Sequence, residues 1–109
     1  MGKKLFYRSL GEEIEVRVEI ETQKGKLIDV RITAYYLDKY GDEQQFVRWD
    51  CSHGQFHKDC IFKKKGAKEY YPKGLSLEDA YKMAIDDLDL NWRDYKLRYM
   101  KTKNDRNNR

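Results

Sequence analysis

Both histidines and both cysteines of the chain lie between Arg48 and Cys60, interleaved with Asp50 and Asp59. Imidazole titrates nearest neutral pH, so it can take or give a proton in a reaction. A carboxylate beside it sets its orientation, and a guanidinium holds a phosphate or a developing negative charge. Arg48, Asp50, His57 and Asp59 therefore form a candidate site, with Arg48, Asp50 and His57 as its catalytic members. Metal-free cleavage of RNA suits that set. No serine or second histidine completes a triad, and no glycine-rich loop cradles phosphate. The plainer alternative is a solvated ladder of opposed charges.

The same segment raises zinc. Cys51, His53, His57 and Cys60 have the spacing C-x-H-x3-H-x2-C, which is not that of a standard finger. If His53-Gly54 is a two-residue hairpin turn, Asp50 faces His57, Trp49 faces Lys58 and Arg48 faces Asp59. Side chains alternate between faces along each strand. Cys51 and His57 then lie on opposite faces. Cys51 and Cys60 share a face but stand roughly 13 Å apart at ~3.3 Å per residue, beyond the ~7 Å that a disulfide spans. The expectation is of free buried thiols, no metal and no cofactor. Val47, Trp49 and Cys51 belong to the core face. Phe46, Arg48, Asp50, His57, Asp59 and Ile61 belong to an open polar face.

The elements that must position these residues read as an antiparallel meander. Ile14, Val16, Val18 and Ile20 alternate with charges, and Ile28, Val30, Ile32, Ala34 and Tyr36 do the same. A three-residue loop, Gln23-Lys24-Gly25, would set Ile20 opposite Ile28 and Val18 opposite Val30. Further strands are expected near 44–51, 56–63 and 68–71, with Lys3 to Arg8 as an added edge. Ser76 caps a helix with Glu78 and Asp79 in its first turn. Its stripe of Leu77, Tyr81, Ala84, Leu88, Trp92, Tyr95 and Tyr99 should lie on the apolar face of the sheet, with a break near Asn91. Asp86, Asp87 and Asp89 should form its wet face. The fold class is α+β, four to five antiparallel strands with a C-terminal helix on one face.

The chain has 109 residues, 39% charged and 39% hydrophobic, with one proline and nine tyrosines. That fits one domain with a small core rich in large side chains. The domain spans residues 1–101, and 102–109 form a basic, flexible tail. The stretch from Lys101 to Arg109, with Lys101, Lys103, Arg106 and Arg109 against Asp105, carries a net +3 of the chain's +4. The basic balance is thus mainly a terminal property. Lys63, Lys64, Lys65 and Lys68, with Tyr70 and Tyr71 beside them, form a second basic cluster that can track a phosphate backbone. Its alternative is a solubilising turn. No apolar run approaches the ~18 residues of a membrane span, and the start lacks a signal-peptide apolar segment. A cytoplasmic protein is expected.

The run Val47-Arg48-Trp49-Asp50, His53-Gly54 and Phe56-His57-Lys58-Asp59, followed by a C-terminal helix, resembles small uncharacterised prokaryotic proteins. It also resembles the toxin subunits of TumE-class toxin–antitoxin pairs. The resemblance implies RNA cleavage, an antitoxin partner, and a role for Arg48, Asp50 and His57. The leading expectation is a prokaryotic toxin–antitoxin-type protein binding or cleaving RNA. The alternative is a non-catalytic interaction module. A homodimer through the open face, using Phe46, Ile61 and Tyr35, is a third reading.

Overall fold

The computed structural model describes residues 2–51 and 54–107, with side chains as far as Lys103. Six antiparallel strands follow one another in chain order: β1 (Gly2–Gly11), β2 (Ile14–Gln23), β3 (Lys26–Leu37), β4 (Glu43–Asp50), β5 (His57–Asp59) and β6 (Lys68–Tyr70). One helix, α1 (Leu77–Asn107), packs on one face, mainly over β3 and β4. The α+β architecture is as expected, with six strands because both flanking segments pair. No described helix is long and apolar enough to cross a membrane.

The core lies between the sheet and α1. Val16, Val18, Val30, Ile32, Val47 and Trp49 from the strands meet Ala80, Ala84, Leu88, Trp92 and Tyr95 from the helix. Each large apolar side chain so buried stabilises by roughly 1.5–3 kcal/mol. Leu77, Tyr81 and Tyr99 of the expected stripe are half-buried at its edges. The Ser76 hydroxyl accepts a hydrogen bond from the Asp79 amide at 3.1 Å, which is the expected cap. The helix does not break at Asn91. That side chain instead donates to Asp87 Oδ1 and to the Asp87 carbonyl one turn back. The helix also continues into the segment expected as a tail.

One register differs from expectation. Val18 pairs with Ile32 and Ile20 with Val30, two residues from the expected partners. The turn is Lys24-Gly25, both with positive φ (52° and 79°), closed by Gln23 and Lys26. Both central residues of a type I′ hairpin turn have that sign. A bulge then inserts Ile28, which is 45% exposed rather than in the core. A second bulge lies where Ala34 pairs with Val47 but Tyr35 pairs with Gln45. The extra residue there is Phe46, which turns into the core beside Tyr36. The apolar open-face patch built on Phe46 is therefore absent.

Candidate functional site

The β4–β5 ladder carries the expected pairs: Arg48 with Asp59, Trp49 with Lys58, and Asp50 with His57. Because strands alternate, Trp49 and Lys58 point to the helix side while the other four share the opposite face. β3 and β6 extend the rows. Thr33, Arg48, Asp59 and Lys68 line up across four strands, and Asp50, His57 and Tyr70 line up beside them. Ser52 and His53, half of the expected turn region, lie outside the described residues. Gly54 has φ +81°, and its amide donates to the Cys51 carbonyl.

The face is not the wet ladder that the alternation suggested. His57 is fully buried, and Asp50 and Asp59 are buried beside it. The imidazole packs against the Tyr70 ring, with centroids 5.3 Å apart. Its Nε2 lies 3.1 Å from Asp50 Oδ1 and 3.7 Å from Asp59 Oδ2. Its Nδ1 is 3.0 Å from the Gln55 carbonyl oxygen. A carbonyl only accepts, so Nδ1 carries the proton of that bond. Arg48 bridges both acids: Nη2 donates to Asp59 Oδ2 at 3.0 Å, and Nε is 3.4 Å from Asp50 Oδ2. Lys68 Nζ is 3.7 Å from Asp59 Oδ1.

The structure thus brings Arg48, Asp50 and His57 together. It encloses the imidazole, so no hydroxyl or water from solvent touches it in this arrangement. Arg48, with its side chain 38% exposed, is the member that reaches outward. Arg48 and Asp59 line a cavity of about 460 Å³ together with Cys60, Lys65 and Lys68. Lys63 points elsewhere and pairs with Glu69 at 3.3 Å. Lys64 lies on the exposed turn.

Among the described residues, neither Cys51 nor Cys60 groups with His57. Both thiols are free. Cys51 is near the Val30 carbonyl oxygen, and Cys60 donates to Glu69 Oε2 at 3.4 Å. Burial, with Glu69 beside it, pushes the Cys60 thiol up to about 11. Burial also raises Cys51. Neither is a thiolate at neutral pH, so neither has the character of a nucleophile. Cys51 lines a second cavity, about 660 Å³, with Phe56, Tyr71, Leu75 and Leu77.

The chain matches a family model described as a domain of unknown function, DUF7718, over residues 1–105. It belongs to that family. No curated protein and no solved structure matches it. In this DUF7718 chain, sequence reasoning missed the group that locks the sheet to the helix. Lys58 reaches through the core face to Asp87 Oδ2 and to the Tyr95 hydroxyl, each at 2.9 Å. Tyr95 in turn donates to Asp87 Oδ1. Asp87 is therefore part of a half-buried network and not of a wet face. A lysine at a core-face position of β5 was the available signal, since a buried ammonium requires a partner. The Gln55 carbonyl left no sequence signal, because every residue has one.

Proposed function

We propose that this protein binds single-stranded RNA on the open face of β4–β6, as a small prokaryotic toxin–antitoxin-type protein that holds RNA rather than cuts it. The observation that carries this reading is the cavity lined by Arg48, Lys65 and Lys68. Arg48 and Lys68 are offset by Asp50 and Asp59, and Lys65 leaves an excess of one positive charge where the guanidinium meets solvent. Phosphates are drawn to such a groove by charge and by release of their counterions. Tyr70, two residues beyond Lys68 on β6, keeps 53% of its surface exposed. An exposed ring beside a cationic track is a stacking platform for a base. Cleavage by His57 would need Nε2 within hydrogen-bond reach of a ribose hydroxyl, and its burial stands against that. Arg48 is then the ligand-facing residue, and Asp50 and His57 hold the strands that present it.

Fluorescence anisotropy with a labelled single-stranded RNA tests the reading. The parent should bind, and the combined variant Arg48→Gln, Lys65→Gln, Lys68→Gln should lose at least tenfold in affinity. Tyr70→Ala should weaken binding by roughly 1–3 kcal/mol, the range for one stacked base. No binding by the parent at low salt would remove the proposal.

A second reading, a protein-interaction module, has its own observation. β1 is a ten-residue edge strand with Leu5 and Tyr7 each 56% exposed. An open edge of that length can add a partner strand, from an antitoxin or from a second copy. Light scattering of the purified chain separates monomer from dimer.

A further inference from the structure

We propose that Asp50, His57 and Asp59 form a binding site for a divalent first-row metal ion, with Zn²⁺ or Mn²⁺ as the cation. This ligand set differs from the cysteine-containing one that the sequence raised. One atom from each residue lies within 4.8 Å of the others. Of the spacings from His57 Nε2, 3.1 Å is that of neighbouring ligands and 3.7 Å lies just beyond it. Ligand atoms about 2.0–2.2 Å from one metal centre stand roughly 3–3.6 Å apart.

The decisive atom is His57 Nε2. It is fully buried and makes no hydrogen bond. Asp50 Oδ1, at 3.1 Å, is near enough to accept one but does not lie along the direction in which Nε2–H would donate, and Asp59 Oδ2, at 3.7 Å, is beyond hydrogen-bond reach. Paired groups aim at each other, whereas ligands aim at a shared point between them. Buried polar atoms without a partner are rare in native proteins, and an ion is one of the accepted reasons. The other ring nitrogen supports the same assignment. Nδ1–H donates to the Gln55 carbonyl, which leaves the Nε2 lone pair for a cation. One imidazole with two carboxylates is a nitrogen–oxygen set suited to Zn²⁺ or Mn²⁺.

Arg48 is the competitor. With a neutral imidazole, Arg48 and Lys68 already balance Asp50 and Asp59. A metal ion adds two positive charges, so the guanidinium must turn away from the carboxylates toward solvent. This gives the proposal a sign that a purely structural cluster lacks. Removing the Arg48 charge should tighten metal binding, because a like charge is taken from a few ångströms away.

Calorimetric titration of the EDTA-stripped full chain with ZnCl₂, and separately with MnCl₂, tests this. Expected is one saturable equivalent of at least one of the two ions. Asp50→Asn and Asp59→Asn, close in shape to the parent and checked for fold by circular dichroism, should each weaken it at least tenfold. Arg48→Gln should tighten it about tenfold. Absence of saturable binding of both ions overturns the proposal. So does binding that both Asn variants leave unchanged, since the ion then sits elsewhere. If the Asn variants do not fold, Arg48→Gln decides: tighter binding supports the site, and unchanged or weaker binding overturns it. No arm of the test uses RNA, so its failure and that of the RNA reading are separate results.

Discussion

His57 and Asp50 face each other across the β4–β5 ladder, with Nε2 3.1 Å from Oδ1 and the imidazole sealed from solvent. Burial changes what the pair is worth. An exposed ion pair contributes roughly 0–1 kcal/mol, whereas removing one partner of a buried group leaves the other desolvated and uncompensated. His57 also fills space between Tyr70 and the two acids.

His57→Ala should therefore destabilise the metal-free protein by about 2–4 kcal/mol, the cost of the cavity left between Tyr70 and the two acids. Urea unfolding in EDTA measures it. A loss under about 1 kcal/mol would mean that the ring is not held as described.

The Lys58–Asp87–Tyr95 group makes a prediction about pH. Burial alone would raise Asp87, but hydrogen bonds from Tyr95 and Lys58 outweigh it and hold the carboxyl below its ordinary value. Burial alone would lower Lys58, but Tyr95 and Asp87 hold it above its ordinary value. Burial and the neighbouring Asp87 push the Tyr95 hydroxyl up to about 12. A depressed Asp87 stabilises the fold above the ordinary carboxylate range, and that contribution fades as pH falls through its folded value. A raised Lys58 contributes below the ordinary lysine value and fades as pH rises through its folded value. Both contributions are present at pH 7. Asp87→Asn should cost about 2–4 kcal/mol there, because it strips the buried ammonium of its main counter-charge. Its melting temperature should also fall less steeply than the parent's between about pH 5 and 3. Parallel melting curves for the two proteins over that range would contradict the assignment.

The β1–β2 turn offers a gain. Glu12 and Glu13 both have positive φ, 49° and 63°, a region that a residue with a Cβ enters at a cost. Glycine enters it freely. Glu13→Gly should raise stability by roughly 0.5–1 kcal/mol, the relief of strain less the added freedom of the unfolded chain. Glu12 is left in place, because it reaches Arg93 and Lys96 on the helix. Thermal unfolding gives the answer, and a lower melting temperature would show that the turn is not strained.

The sequence made the β4–β5 register legible because it fails under any shift. Moving it by one residue exposes Trp49, and moving it by two sets Asp50 against Asp59. The β2–β3 register had no such check. Its partners are all aliphatic with a period of two, so a shift of two residues matches them equally well. Only the turn geometry and the bulge at Ile28 separate the two registers. The burial of His57 was illegible for another reason. β6 is three residues long and carries Tyr70 over the imidazole, and periodicity says nothing about what a short strand covers. Asp87 looked wet because Asp86 and Asp89 beside it are exposed, and its partner is on a strand twenty-nine residues away.

In the proposed complex, Arg48, Lys65 and Lys68 contact RNA phosphates. The most direct measurement is the salt dependence of RNA affinity for the parent and for the variant with all three changed to Gln. For single strands each neutralised phosphate adds roughly 0.7 to the slope of log affinity against log salt. A slope shallower by about 2 is expected in the triple variant, with affinities converging at high salt. Equal slopes, or a parent whose affinity ignores salt, would contradict it.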